Sequence, residues 1–125
     1  MALLNTNAHV YHVSPVFSVM EVECLKFLGT ACGFKENEID GTFNPGGTMS
    51  NMMALIAARH ERFPHVRNDG WKPEDRPRVF TSHQSHYSIS RGAMLGGMGM
   101  NSVRKVRCDR MTGQMDTVAL EELIQ

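Results

Sequence analysis

Residues 41–62 read GTFNPGGTMSNMMALIAARHER, a glycine-rich turn that runs into a helical pattern. Pro45 restricts the backbone, while Gly46 and Gly47 accept conformations that other residues resist and let another group approach the main chain closely. Thr48 adds a hydroxyl beside the free N–H groups of a helix start, and such a turn suits an anion such as a phosphate. The plainer reading is that Thr48 or Ser50 caps the helix while the glycines tighten its entry. The two readings are compatible. The stretch matches neither GxxxxGK[ST] nor GxGxxG, so the nucleotide-binding folds marked by those patterns gain no direct support. Beyond the turn, Met49, Met52, Met53, Ile56, His60 and Phe63 share one helical face, and Phe63-Pro64 ends the helix.

Working outward, Ser14-Pro15 opens an earlier helix in which Phe17, Met20, Cys24, Leu25, Leu28 and Cys32 recur at helical spacing, with Gly33 as its stop. After the second helix, the Pro-, Gly- and charge-rich stretch from Pro64 to Pro77 predicts a surface loop anchored by Trp71. Arg78–Ser82 and Val103–Cys108 predict strands, and His86–Leu95 and Asp116–Ile124 predict helices. This alternation predicts an α/β layered fold with parallel strands.

The chain has 125 residues, 42% of them hydrophobic, and its 13 basic and 13 acidic side chains cancel. That suits a globular domain, or part of one, and argues against a nucleic-acid partner, because Arg104-Lys105-Val106-Arg107 is the only basic run and fits a half-exposed strand. Cys24, Cys32 and Cys108 are odd in number and lack CxxC spacing, which argues against a disulfide framework or a zinc site. They are expected as small buried hydrophobes in a cytoplasmic protein. The start, MALLNTNAHVYHV, lacks the features of a secretion signal, and no apolar run reaches membrane-spanning length, so no membrane partner is expected.

In FTSHQSHYSISRGA a strand pattern ends in a polar turn, which puts His83 and His86 near the C-terminal end of the strand, where open α/β sheets bind ligands. An imidazole there can stack on a planar ring or exchange protons near neutral pH. The plain alternative for His86 is a solvated residue in a helix's first turn. For His83, His60, His65, His9 and His12, spread over separate elements, the plain reading is preferred. No metal-ligand spacing connects them, so no metal is expected.

Four segments, NTNAHVYHVSPVFSVME, DGTFNPGGTMSNMMALIAAR, VFTSHQSHYSISRGAMLGGMG and CDRMTGQMD, together resemble the group II pyridoxal-phosphate-dependent amino-acid decarboxylases, in the branch of glutamate and cysteine sulfinate decarboxylases. The resemblance spans nearly the whole chain, in the family's order and at about its spacing. It implies part of the large domain of the PLP-dependent transferases, the aspartate aminotransferase-like fold type I. Residues 1–40 would form an N-terminal helical segment, and residues 41–125 the first, incomplete part of the cofactor-binding domain. Carried over by position, Gly47 and Thr48 match the pair that holds the cofactor phosphate, with Ser50 and Asn51 completing the PGGxxSN signature. His86 matches the histidine that stacks on the pyridine ring and serves catalysis there. Asn5 and Asn7 match a stretch near substrate entry, whereas His9 and His12 depart from the family's usual residues, which bears on substrate identity.

The resemblance implies pyridoxal 5′-phosphate as cofactor and decarboxylation of a small acidic amino acid: glutamate, cysteine sulfinate or aspartate. It also implies a homodimer. Lys26, Lys35, Lys72 and Lys105 stand in the wrong contexts for the family's cofactor-anchoring lysine, its Asp-x-Ala motif does not occur, and Asp109 falls in a turn. The chain is therefore expected to be an N-terminal portion of the enzyme, inactive alone. The alternative is a non-catalytic module that binds phosphate or the cofactor, or that occupies a dimer interface.

Overall fold

The computed structural model describes residues 10–125, in two compact units, one ending at Phe43 and the other spanning Asn44–Gln125. In the first, the Val13 and Ser14 N–H groups turn back onto the Val10 carbonyl at 3.0 Å. Pro15 then takes the first position of α1 (Pro15–Ala31), where its missing N–H costs no helical bond. After a single 3₁₀ turn at Glu36–Glu38, the chain returns along one stripe of α1. Ile39 lies against Gly29, and Leu25 meets Gly41. Glu21 accepts from the Thr42 hydroxyl at 3.1 Å and from the Phe43 N–H at 2.8 Å. The covered stripe is thus Phe17, Glu21, Leu25 and Gly29. Met20, Cys24, Leu28 and Cys32, expected to face inward, are exposed because the returning segment is too narrow to cover them.

The second unit contains α2 (Gly47–Arg62), α3 (Val66–Asp69), β1 (Val79–Ser82), α4 (Ser88–Leu95), β2 (Val103–Val106) and α5 (Thr117–Ile124), with a 3₁₀ turn at Met100–Ser102 before β2. The expected parallel pairing is present, in register from Val79 opposite Val103 to Ser82 opposite Val106. His83 N–H extends it by donating to the Val106 carbonyl at 2.9 Å. β2 is shorter than expected, since Cys108 leaves the ladder to bridge Met115 in antiparallel fashion. Between them Asp109 accepts from the N–H groups of Met111 (2.9 Å) and Thr112 (2.7 Å), which fixes the turn expected there. Cys108 is half-buried, so none of the three cysteines is the buried hydrophobe expected. Asp116 caps α5 by accepting from the Ala119 N–H at 3.0 Å and takes a 2.6 Å bond from Arg107 Nε.

α4 packs closely on α2 because Gly92 has no side chain: a Cβ there would stand 2.7 Å from Leu55 Cδ1 and 3.4 Å from the Met52 Cα. Arg59 Nη1 donates to the Gly96 carbonyl at 2.6 Å, satisfying an orphan acceptor at the end of α4. The face of α2 that is covered therefore carries Asn51, Met52, Leu55, Ile56 and Arg59, whereas Met49, Met53 and His60, expected on that face, are exposed. The stretch from Pro64 to Pro77 is not all loop, since it includes α3. It is anchored as expected by Trp71, whose ring meets Phe63 edge-on at 5.3 Å. Asp75, with its side chain only 8% exposed, pairs with His65 Nε2 at 2.9 Å and accepts the Lys72 N–H at 2.8 Å. The buried core is small: Ala93, Val106 and Ala119 with the polar Thr81, Ser88 and Ser102. Among the described residues no helix is long and apolar enough to cross a membrane.

Candidate functional site

The turn before α2 is shaped by Gly46, whose φ of 100° and ψ of 157° fall in a region essentially reserved for glycine. Its N–H closes onto the Asn44 carbonyl at 2.8 Å, and its own carbonyl accepts the Ser50 N–H at 3.2 Å, the first bond of the helix. The N–H groups of Gly47, Thr48 and Met49 precede that bond and have no helical carbonyl to donate to. Gly46 itself occupies the cap position, and no side chain caps the helix. The capping role read for Thr48 or Ser50 is thus overturned: both side chains lie inside the first turn and are exposed. A Cβ at Gly46 or Gly47 would meet nothing within 4 Å. The result is an open, shallow turn of main chain at the positive end of a 16-residue helix, suited to an anion.

The second segment leaves the C-terminal end of β1. Ser85 closes a turn on Ser82, with N–H to carbonyl at 3.1 Å and the two hydroxyls 3.0 Å apart. His86 follows this turn, and α4 begins at Ser88, two residues later than expected. The His86 ring is exposed and rests against Tyr87, centroids 4.1 Å apart at 37°, with the Arg91 guanidinium 4.6 Å from the Tyr87 centroid. His86 Nδ1 lies 2.9 Å from Ser88 Oγ and accepts the Ser88 N–H at 3.2 Å. Asn51 Nδ2 donates to the same Ser88 Oγ at 2.8 Å.

Asn51 lies about one helical turn beyond Gly47 and Thr48. The structure therefore brings the turn at 46–48 and His86 together, through Asn51 and the fully buried Ser88. Ser88 escaped the sequence reading because a buried hydroxyl in a helix's first turn has no spacing signature of its own. His83, at the end of the ladder, is exposed, His65 belongs to the Asp75 clamp, and His12 lies edge-on to Tyr11. Asn5, Asn7 and His9 lie outside the described residues. Among the described residues, no three His, Cys, Asp or Glu side chains are grouped to hold a metal.

Residues 1–125 match the pyridoxal-dependent decarboxylase conserved domain over their whole length. The chain belongs to that family. It is 42% identical over 121 residues to the cysteine sulfinic acid decarboxylase of Mus musculus, a match that covers 97% of this chain and 24% of that protein. Among solved structures, mouse CSAD in apo form superposes with a TM-score of 0.89 at 41% identity, covering 98% of this chain and 25% of that one. The glutamate decarboxylase domain of a Vibrio parahaemolyticus transaminase and L-2,4-diaminobutyrate decarboxylase superposes with a TM-score of 0.88 at 27% identity, over 98% of this chain and 28% of that one. The chain thus spans about a quarter of the length of the curated relatives it matches. Its architecture is part of fold type I, as expected. The family depends on pyridoxal phosphate, and the residues present fit its phosphate: the Cβ-free space at Gly46 and Gly47 adjoins three N–H groups without helical partners and the exposed Thr48 hydroxyl.

Proposed function

We propose that this chain supplies the phosphate cradle and the ring-side histidine of a carboxy-lyase that decarboxylates a small acidic amino acid. The observation that carries this reading is the uncapped Gly46–Thr48 helix start, linked by Asn51 and Ser88 to His86. When bound, pyridoxal phosphate supplies an electron sink for the carbon that loses CO₂. The chain's own residues bind and orient. The Gly47 and Thr48 N–H groups and the Thr48 hydroxyl receive the phosphate, and Ser50 adds a hydroxyl on the exposed side of the first turn. His86 presents its ring as a stacking surface, with Nε2 available to hold a proton near the substrate. Asn5 and Asn7 are assigned to the substrate side by resemblance. Cysteine sulfinate leads the candidate substrates because of the similarity to the mouse enzyme, with glutamate and aspartate next. A cytoplasmic setting accords with three free cysteines, and a homodimer accords with the family resemblance.

The test is CO₂ release by the native polypeptide that bears this chain, with cysteine sulfinate, glutamate and aspartate each offered with and without pyridoxal phosphate. Cofactor-dependent release from one of them is expected, with His86→Ala lowering kcat while the unfolding midpoint holds. Absence of release from all three, or wild-type turnover in His86→Ala, refutes the assignment. A second reading, an interface module, is favoured by the apolar side chains that α1 leaves exposed, among them Val16, Val19 and Phe27. Co-purification of the 125-residue chain with a full-length family subunit, without cofactor binding, would favour it.

A further inference from the structure

The bonds around Ser88 have a definite direction. A backbone N–H can only donate, so the Ser88 N–H at 3.2 Å from His86 Nδ1 requires a lone pair on that nitrogen. The Asn51 Nδ2 group likewise donates to Ser88 Oγ, which leaves the Ser88 O–H free to point at Nδ1, 2.9 Å away. The N–H and O–H of Ser88 thus both face Nδ1, and the neutral ring must carry its proton on Nε2. Among the described residues, no hydrogen bond reaches Nε2. Ser88 is fully buried, so water does not compete for its hydroxyl, and satisfied bonds of this kind hold a side chain in one orientation. Asn51 is also rooted in the first turns of α2, so the same bonds that select the tautomer tie the ring to the helix that forms the cradle.

We propose that Ser88 and Asn51 are positioning residues for His86, forming an Asn51–Ser88–His86 relay that directs Nε2–H outward and fixes the ring relative to the Gly46–Thr48 turn. The catalytic consequence rests on the function proposed above, whereas the tautomer does not. It follows that Asn51, although part of the glycine-rich signature, acts through its amide on Ser88 rather than on the cofactor phosphate.

The decisive measurement is the imidazole tautomer by ¹⁵N and ¹³C NMR in the native polypeptide bearing this chain, histidine-labelled and free of cofactor, with His86 assigned through its loss in His86→Gln. The wild-type ring should be the Nε2–H form near neutral pH, and a wild-type Nδ1–H form overturns the relay without recourse to any variant. Asn51→Asp replaces a donor with an acceptor of the same shape, so the Ser88 O–H turns toward Asp and offers Nδ1 a lone pair. Nδ1 then keeps the Ser88 N–H as its one donor, so the ring stays Nε2–H while the Nδ1 resonance should shift as a hydrogen bond is lost; an unshifted Nδ1 resonance in this variant overturns the proposal. Ser88→Ala removes the hydroxyl but keeps the N–H, so it should leave the ring Nε2–H, loosen its orientation and lower kcat about 10- to 100-fold, the range set by loss of the outer-shell bond behind a metal-bound imidazole. Its affinity for pyridoxal phosphate should stay within about twofold of wild type; a loss as large as that of Gly47→Ala would make Ser88 a cofactor ligand instead and overturn the positioning role. An unchanged cofactor affinity in Gly47→Ala would count against the cradle while leaving the tautomer result standing, so the two failures are distinguishable.

Discussion

Gly46 and Gly47 are adjacent and both open to solvent, yet alanine should act on them in different ways. At Gly46 the obstacle is the backbone: φ is 100° and ψ is 157°, while a Cβ would meet nothing within 4 Å. The cost is therefore conformational strain without a clash, on the order of 1–3 kcal/mol. Taken at 2 kcal/mol with a urea slope of about 2 kcal/mol per M, Gly46→Ala should lower the unfolding midpoint by about 1 M. Gly47 is the first residue of α2 and has an ordinary φ, so alanine there should leave stability unchanged or raise it by about 0.4–1 kcal/mol. Its methyl group, however, projects into the space assigned to the phosphate. Pyridoxal phosphate affinity in Gly47→Ala should fall at least about tenfold, or 1.4 kcal/mol, in a variant that is no less stable. The assay pairs urea unfolding with a cofactor titration followed by absorbance, in the native polypeptide that bears this chain. Wild-type affinity in Gly47→Ala would refute close approach of an anion to the main chain. Wild-type stability and affinity in Gly46→Ala would refute the view that the Gly46 conformation holds the cradle open.

The Asp75 clamp should respond to acid. Its hydrogen bond to His65, followed by the Lys72 N–H, holds the carboxyl below its ordinary value of 3.8. A carboxyl lowered on folding adds stability above that ordinary value and loses it as pH falls through the folded one, so the residue 64–77 segment should loosen only below about pH 3.8. Faster exchange of the Lys72 amide over that acid range, abolished as a pH effect in Asp75→Asn, is the check. Arg59→Met keeps the aliphatic stem but removes the donor to the Gly96 carbonyl, and should cost about 1–3 kcal/mol in urea unfolding; an unchanged midpoint would show that water replaces the bond. The 125-residue chain made alone should self-associate and bind an apolar dye, since its two-stranded sheet has open edges and its buried core is small. A cooperative monomeric unfolding transition by sedimentation and calorimetry would contradict this.

Much of the layout was legible because it rests on local signals. The helix entered through Pro15, the helix after Gly46-Gly47, the strand ending at Ser82 and the parallel pairing of two strands separated by a helix all follow from periodicity, turn residues and alternation. What escaped depends on distant partners. Periodicity put Met49, Met53 and His60 inward, but the inward side of α2 is decided by the place where Gly92 admits α4, and that lies about forty positions away in sequence. The same holds for Cys24 and Cys32, whose apolar character predicted burial that the narrow returning segment cannot provide. At the site, the glycines and His86 were legible as residue types in a telling order. The direction of the bonds at Ser88 was not, since it exists only once two helices are packed.

That packing explains how a shallow turn and an exposed histidine can act as one site. Neither holds the other directly: Gly46–Thr48 has no side-chain cap, and the His86 ring is exposed. Their relation is set one layer deeper, where Asn51 reaches Ser88 at 2.8 Å across the α2–α4 contact. Gly92, four residues along α4 from Ser88, allows the helices to approach, and Arg59 ties the far end of α4 to α2. The contact is thus fixed along α4 by a hydrogen bond at each end and a missing side chain in the middle. Exposed groups held by a buried frame of this kind can meet a ligand without giving up their mutual geometry, which is what preorganised binding requires. The polar Asn51 and Ser88 add to that frame what a purely apolar contact would lack, a second bond on Nδ1 of His86 that is itself held from α2.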